Sequence, residues 1–167
     1  SILYGNDFKL DDTPVFGLKP NYKRLKEIGK EGVLAFIVDS LYSSSERKTP
    51  SEKIARELLR EVFFTIQNRN SGMIVTTFSS HIARLKSIVE FGKKLNREVI
   101  FLGRSLDKYS TAARNAGIAP FLNDVRISKY RRQVEKTLKK IETKRKDHLI
   151  VCTGHQGEPG SILERLS

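Results

Sequence analysis

The chain has 167 residues, which is enough for one compact domain or for two small ones. Hydrophobic residues make up 38% and charged residues 30%, a balance that supplies a core and excludes a disordered tail. Lys and Arg outnumber Asp and Glu by 31 to 19, and the net charge of +12 favours a polyanionic partner. No apolar run approaches the roughly 20 residues that span a bilayer and no signal pattern opens the chain, so we expect neither a membrane nor a secreted protein.

We expect residues 1–30 to form a segment of their own and residues 31–167 to form the main domain. In the first segment the pattern predicts a strand over residues 1–4, a polar turn at Gly5-Asn6-Asp7 and a short helix over residues 21–30. The chain begins without Met and stops inside another predicted helix, residues 161–166. We therefore expect it to be part of a longer protein.

Four short apolar runs after residue 30 predict a parallel sheet of four or five strands. They cover residues 33–38, 73–78, 99–102 and 149–152. Each run is apolar at consecutive positions, which suits strands that are buried on both faces better than strands with one face in water.

Amphipathic stretches alternate with these runs and predict four helices, over residues 50–68, 81–95, 105–116 and 129–146. Pro50 suits a first helical turn, and Gly117 suits the end of the third helix. Strands that alternate with helices are typical of an α/β domain with crossover connections. The sequence thus predicts a Rossmann-like three-layer αβα domain, with helices on both faces of the sheet.

Polar residues follow each predicted strand: Asp39-Ser40, Ser79-Ser80-His81, Gly103-Arg104-Ser105 and residues 153–157. In open parallel sheets, ligands bind beyond the carboxyl ends of the strands, where helix N-termini suit phosphate groups. Structural roles stay open for the same residues. The serines also suit helix N-caps, Gly103 and Gly154 also suit chain turns, and Asp39 also suits the cap of a local turn.

Residues 129–146 hold nine basic residues against Glu135 and Glu142. One interpretation is a solvated helix face. The other is a surface that contacts phosphates and whose contribution to affinity falls steeply with salt. Such a surface would position RNA without reading its sequence.

The single cysteine, Cys152, lies in the last apolar run and is predicted to be a small core residue. It has no second cysteine with which to form a disulfide or a thiolate metal cage. A reducing cytoplasm is therefore the expected compartment.

Five segments in chain order resemble motifs of ribonuclease J-type metallo-β-lactamase ribonucleases. They are residues 5–9 with 13–15, residues 38–40 with 49–52, residues 77–84, residues 103–105 and residues 153–159. The family's own versions read GDFKxDxTPV, SDS…TPSE, TFxSNIHR, GRS and TGSQGEP. The FSSHIAR version in this chain is more similar to the archaeal branch. Three residues depart from the family's pattern: His81 stands at its Asn position, Ala83 at the His of the bacterial pattern, and His155 at a Ser.

The resemblance implies a β-CASP domain over residues 31–167, preceded by the end of a metallo-β-lactamase domain over residues 1–30. It implies hydrolysis of RNA with two zinc ions, 5′-to-3′ from 5′-monophosphorylated ends, and permits a homodimer. Asp7 matches a metal ligand and Asp39 matches a catalytic acidic residue, while the family's histidine motifs would lie outside these 167 residues. The fragment alone is therefore expected to be inactive.

The residues expected to contact RNA or its 5′-phosphate are Ser80, Arg84, Gly103, Arg104, Ser105, Gly154, His155, Gln156 and Gly157. Arg104 is preferred among them because a guanidinium group matches two phosphate oxygens. Two other hypotheses stay open. In the first, the chain is a non-catalytic nucleic-acid-binding module. In the second, it is a Rossmann-like nucleotide binder that uses residues 153–160 as its phosphate loop.

Overall fold

The computed structural model describes residues 1–6, 8–66, 70–154 and 157–166, with Asn6 described by its backbone alone. The chain divides into two compact units, Ser1–Ala55 and Arg56–Ser167, and each has its own architecture. In the part of the chain that the structure describes, no helix is long and apolar enough to cross a membrane.

The Ser1–Ala55 unit contains a two-stranded parallel sheet and one complete helix. Strand β1 (Ile2–Asn6) pairs with β2 (Ala35–Val38), and helix α1 (Tyr22–Glu31) connects them. The helix starts as predicted, because the Asn21 side chain accepts a hydrogen bond from the Arg24 N–H group at 3.0 Å. The predicted turn at Gly5-Asn6-Asp7 is wrong for its first two residues, which continue β1 beyond an irregularity in the register. Asp7 lies outside the described residues.

The prediction of a fully buried strand over residues 33–38 is wrong, because strand β2 is largely exposed. Instead of joining the main sheet it pairs with β1, and its Phe36 and Ile37 are 54% and 53% exposed. Glu52 is the one buried residue among the described residues of this unit. A continuous run of apolar residues therefore does not by itself distinguish a buried strand from a strand whose faces are exposed to solvent.

The Arg56–Ser167 unit contains a four-stranded sheet in which every pair is parallel. Its strands are β3 (Met73–Thr76), β4 (Glu98–Leu102), β5 (Arg126–Ser128) and β6 (His148–Cys152), in the spatial order β3-β6-β4-β5. Three of these strands match predicted runs, and β5 is additional. Strand β5 was not predicted because its three residues, Arg-Ile-Ser, include a single apolar side chain.

Helices connect these strands and largely confirm the predicted ranges. They are α2 (Glu52–Thr65), which begins in the first unit, α3 (Ile82–Lys94), α4 (Arg104–Asn115) and α5 (Arg131–Ile141). The predicted helix over residues 129–146 is too long at both ends. Tyr130 precedes the first turn, and a 3-10 segment, Glu142–Asp147, follows Ile141 with a non-helical backbone at Lys144.

The two faces of the larger sheet carry separate apolar cores, since successive side chains of a strand point in opposite directions. Helices α2, α3 and α4 pack against the first face, which carries Val99, Phe101, Leu149 and Val151. Helix α5 and residues 162–166 pack against the second face, which carries Ile100, Leu102, Ile150 and Cys152. The predicted three-layer α/β architecture with a parallel sheet is therefore confirmed.

Two predictions about the last strand and the residues after it have different outcomes. Cys152 is fully buried, as predicted, and burial raises the pKa of its thiol to about 11. The predicted helix over residues 161–166 is wrong, because these residues form successive turns closed by Arg165 N–H to Ile162 and Leu166 N–H to Leu163. The division of the chain after residue 30, and the assignment of residues 1–30 to a metallo-β-lactamase domain, stay predictions.

Candidate nucleic-acid interface

The carboxyl ends of all four strands in the larger sheet lie at one edge, because every pair is parallel. The register pairs Thr76 with Cys152 and Leu102 with Ser128. The next residues along the edge are, in spatial order, Thr77, Thr153, Gly103 and Lys129. We call this edge, with the loops that leave it, the carboxyl rim. Neighbouring strands are about 4.8 Å apart, so the rim is roughly 14 Å wide.

Helix α4 presents an open N-terminus at the rim. Its N-cap residue is Gly103, which has a φ of 117° and no side chain with which to satisfy the first N–H groups. Ser105 is half-buried in the first turn, and Arg104 is exposed. Among the described residues, the Arg104 guanidinium has no hydrogen-bond or ion-pair partner. A helix N-terminus combined with an unpaired guanidinium favours an anionic ligand.

The loop after β6 lies between the loops of β3 and β4 and is held by the chain's own last residues. Gly154 is buried with a φ of 118°, and a Cβ atom there would lie 2.6 Å from the Ser161 Oγ and 2.9 Å from the Leu163 Cβ. Gly157 N–H donates to the Gly154 carbonyl oxygen at 3.1 Å. The glycine at 154 is thus required by internal packing, which supports its structural role and weakens the nucleotide-loop hypothesis.

The N-terminus of α3 differs from the expectation that a serine caps it. His81 is the N-cap, and its Nδ1 accepts a hydrogen bond from the Arg84 N–H group at 3.3 Å. Ser80 is exposed and its hydroxyl has no partner among the described residues, whereas Arg84 is half-buried. Capping by His81 leaves Ser80 available for a ligand.

Residues at the end of β5 also line the rim, although they were not predicted as site residues. Lys129 Nζ lies 3.0 Å from the Asp107 Oδ2 in the first turn of α4, and this carboxylate raises the pKa of Lys129. The same ammonium lies 5.2 Å from the centre of the Tyr130 ring. The signal was the alternation of Val125 and Ile127 after the polar pair Asn123-Asp124. Asp107 offsets part of the positive charge here.

The structure does not place four of the predicted site residues at the rim. Asp39 belongs to the Ser1–Ala55 unit, where its exposed carboxylate accepts a hydrogen bond from the Leu41 N–H group at 3.1 Å. This bond is the local turn that the sequence left open as an alternative. Asp7, His155 and Gln156 lie outside the described residues.

The described residues do not form a complete metal site. Within residues 1–6, 8–66, 70–154 and 157–166, no three His, Cys, Asp or Glu side chains are grouped so that they could hold a metal ion. The donor set that a dinuclear zinc centre requires is therefore not assembled by this part of the chain.

Comparison with known families identifies the domain that carries this rim. A family model described as "Ribonuclease J, beta-CASP domain" matches residues 70–167, more than half of the chain. The chain belongs to the ribonuclease J β-CASP family. The carboxyl rim is thus an edge of the β-CASP sheet, and the resemblance found in the motifs is confirmed.

Relatives match over the whole of this chain. Ribonuclease J of Methanocaldococcus jannaschii is 45% identical over 168 residues, and that of Pyrococcus abyssi is 42% identical over 167 residues. Ribonuclease J of Thermus thermophilus is 37% identical over 171 residues. The first two sources are archaeal, which agrees with the FSSHIAR motif. The chain spans 38%, 37% and 27% of these proteins' own lengths.

Proposed function

We propose that the carboxyl rim of this β-CASP domain binds the 5′-phosphate and adjoining backbone of RNA for a ribonuclease of which this chain is a part. The observation that carries the proposal is the open N-terminus of α4, where Gly103 supplies no cap and the Arg104 guanidinium has no partner among the described residues. The family supports RNA as the polymer, since its named members are ribonucleases.

Each predicted contact has a distinct part in this proposal. The guanidinium of Arg104 binds two phosphate oxygens, and the Ser105 hydroxyl with the first N–H groups of α4 binds the remaining ones. Ser80 and Arg84 approach the same strand of RNA from the β3 side of the rim. Strand β6 ends between these two sides of the rim, and we expect Gly154, His155, Gln156 and Gly157 after it to contact the backbone next to the terminal phosphate.

The finer activity is part of the same proposal. We expect the full-length protein to be a 5′-to-3′ exoribonuclease that uses two zinc ions. When bound, such ions would activate a water molecule. Because the described residues do not assemble a metal site, we assign to this chain one expected ligand, Asp7, and one acidic residue, Asp39, and derive no catalytic step from them. A cytoplasmic location and a homodimer stay predictions.

Affinity for RNA that differs only at its 5′ end tests the rim. We expect the chain to bind 5′-monophosphorylated RNA more tightly than the same RNA with a 5′-hydroxyl. Arg104→Gln should remove about tenfold of the affinity for the phosphorylated RNA, since a charge-assisted hydrogen bond contributes about 1.5–3 kcal/mol. It should have a small effect on the 5′-hydroxyl RNA.

Lys94→Gln is the matched control, because Lys94 is an exposed cation in the last turn of α3, at the opposite edge of the same sheet. If Arg104→Gln and Lys94→Gln weaken both RNAs equally, the rim is not a 5′-phosphate site. Zinc-dependent turnover of RNA by the 167-residue chain would contradict the expectation that the fragment is inactive. RNA binding by a full-length protein without turnover would favour a non-catalytic module.

A further inference from the structure

The solvent-facing side of α5 carries a row of cations that the rim does not use. With 3.6 residues per turn, Arg132, Lys136, Lys139 and Lys140 fall on one face of the helix. The buried residues Val134, Thr137 and Ile141 fall on the opposite face, against the sheet. We call these four cations the α5 stripe.

The four cations of the α5 stripe are exposed, and none has an ion-pair partner within the described part of the chain. The acidic residue on the same face, Glu135, is already paired, because its Oε1 lies 2.8 Å from the Nε of Arg131. This hydrogen bond and the nearby cations lower the pKa of Glu135, so it is ionised at neutral pH. Glu135 therefore offsets part of the charge of Arg132 and Lys139, and the four cations of the stripe keep a net positive charge.

The density of charge along the stripe is comparable with that of a polyphosphate. From Arg132 to Lys140 the helix rises about 12 Å, and successive cations are about 6, 4.5 and 1.5 Å apart along its axis. One strand of a nucleic-acid duplex carries one phosphate per about 3.4 Å of axis. Lys144 and Lys146, exposed in the following 3-10 segment and without an ion pair to a described residue, extend the row. A row of cations along one side of a helix suits the continuous negative charge of a phosphate backbone.

The composition of the stripe disfavours other partners. Lysine is depleted at the cores of protein–protein interfaces, which aromatic and apolar side chains dominate, and the stripe has neither. A membrane-bound helix inserts its apolar face into the lipid, but the apolar face of α5 is already buried against Ile100, Leu102 and Ile150. A phosphate backbone needs only the charge that is present.

We propose that the α5 stripe is a second RNA-binding surface, which holds the phosphate backbone without regard to sequence or to the 5′ end. Helix α5 follows β5 after two residues, so its first turn lies beside the carboxyl rim and its axis leads away from it. An RNA strand that leaves the rim can therefore continue along the stripe. The proposal does not depend on a 5′-phosphate site at the rim.

The salt dependence of poly(U) binding by the full 167-residue chain tests the stripe. The variant Arg132→Gln/Lys136→Gln/Lys139→Gln/Lys140→Gln removes four charges from exposed positions. The control Lys19→Gln/Lys23→Gln/Lys26→Gln/Lys30→Gln removes four exposed charges at and before α1, and both variants lower the net charge from +12 to +8. If four phosphates are bound, the slope of log affinity against log salt should fall by about 3 in the α5 variant alone.

Equal slopes for the two variants would overturn the proposal and would indicate that the excess charge acts only through the long-range field. A third variant, Lys136→Arg/Lys139→Arg/Lys140→Arg, keeps the charge and should bind poly(U) like the unsubstituted chain. Circular dichroism of all three variants checks that α5 is retained. If the α5 variant binds a short 5′-phosphorylated oligonucleotide normally but loses poly(U), the stripe and the rim are separate surfaces.

Poly(U) binding that depends on Arg104 but not on the α5 stripe would contradict RNA binding by the stripe and support RNA binding by the rim. The reverse result would contradict RNA binding by the rim and support RNA binding by the stripe. If an acidic polypeptide such as polyglutamate binds the stripe as tightly as poly(U), the assignment to RNA is wrong.

Discussion

In the Arg56–Ser167 unit, strands β4 and β6 are covered on both faces by apolar side chains, and Phe101 and Leu149 are fully buried. In the Ser1–Ala55 unit, the β1–β2 pair leaves Phe36 and Ile37 more than half exposed, and α1 has no buried residue. Burial of apolar area is the dominant favourable contribution to folding, so the stability of the two units should have different origins.

The first unit is stabilised instead by polar contacts between two of the family motifs. The Asp11 Oδ2 accepts a hydrogen bond from the Glu52 N–H group at 2.8 Å, and its Oδ1 accepts one from the Thr13 N–H group at 3.0 Å. The Ser51 hydroxyl donates to the Thr13 carbonyl oxygen at 3.0 Å. The carboxylate thus supplies a partner for the first turn of α2 from 41 residues away. We call this arrangement the Asp11 clasp.

Removing a large side chain from each unit gives the largest expected contrast. Phe101→Ala leaves a cavity in a fully buried core and should lower the free energy of unfolding by about 3–5 kcal/mol. Phe36→Ala, at a residue that is 54% exposed, should lower it by less than about 1 kcal/mol. Urea unfolding followed by circular dichroism measures both, and similar losses would show that the first unit has a core of its own.

Substituting alanine at each of two glycines beside the rim tests whether side-chain packing or backbone geometry makes the larger contribution to the stability of this loop. Gly154→Ala combines a strained backbone with contacts under 3.0 Å to Ser161 and Leu163, and should cost about 2–4 kcal/mol. Gly157→Ala has a φ of 74° but nothing within 4 Å, and should cost only about 1 kcal/mol. Thermal unfolding of the two variants gives the comparison. Equal costs would mean that residues 161–163 do not hold the loop.

The elements with a strong periodic pattern were predictable from the sequence, and the exceptions have physical causes. Helix α3 was predicted within one residue at each end because its apolar positions repeat regularly. Strand β5 was missed because three residues at the edge of a sheet carry too little apolar sequence. Strand β2 was placed in the wrong sheet because partner choice depends on contacts far along the chain, which local sequence does not encode.

The rim was predictable for the same reason that the fold was, since parallel strands bring their carboxyl ends to one edge. The sequence therefore placed Arg104 and Gly154 at the same edge of the sheet, and the structure shows that their strands are neighbours. It did not predict that His81 caps α3, because serine is the stronger N-cap residue and two serines precede it. It also did not predict the Lys129–Asp107 pair, which depends on the missed strand.

Arg56 connects α2 to α3 and provides a smaller test of how the larger unit is held. Its guanidinium lies 2.6 Å from the Glu90 carboxylate, 3.0 Å from the Ser87 Oγ and 4.5 Å from the centre of the Phe91 ring. Arg56→Ala should lower the free energy of unfolding by about 1–2 kcal/mol.

Arg60→Ala serves as the control on the same helix, since Arg60 pairs with Glu57 at the surface and such pairs contribute about 0–1 kcal/mol. Differential scanning calorimetry should show a lower Tm for the Arg56 variant than for the Arg60 variant. Indistinguishable Tm values would mean that the Arg56 contacts add no stability beyond those of a surface pair.

The Asp11 clasp predicts a pH dependence that is confined to the Ser1–Ala55 unit. The hydrogen bond from the Glu52 N–H group, together with the nearby Ser51 hydroxyl, lowers the pKa of Asp11 from 3.8 to about 2. Because the folded pKa lies below the unfolded one, the clasp stabilises fully above pH 3.8 and loses its contribution as the pH falls toward 2. Amide hydrogen exchange at Glu52 should therefore lose protection over this interval, while the amides of β6 keep theirs. Asp11→Asn should abolish the dependence at Glu52. If protection there falls equally in the variant, another carboxyl group is responsible.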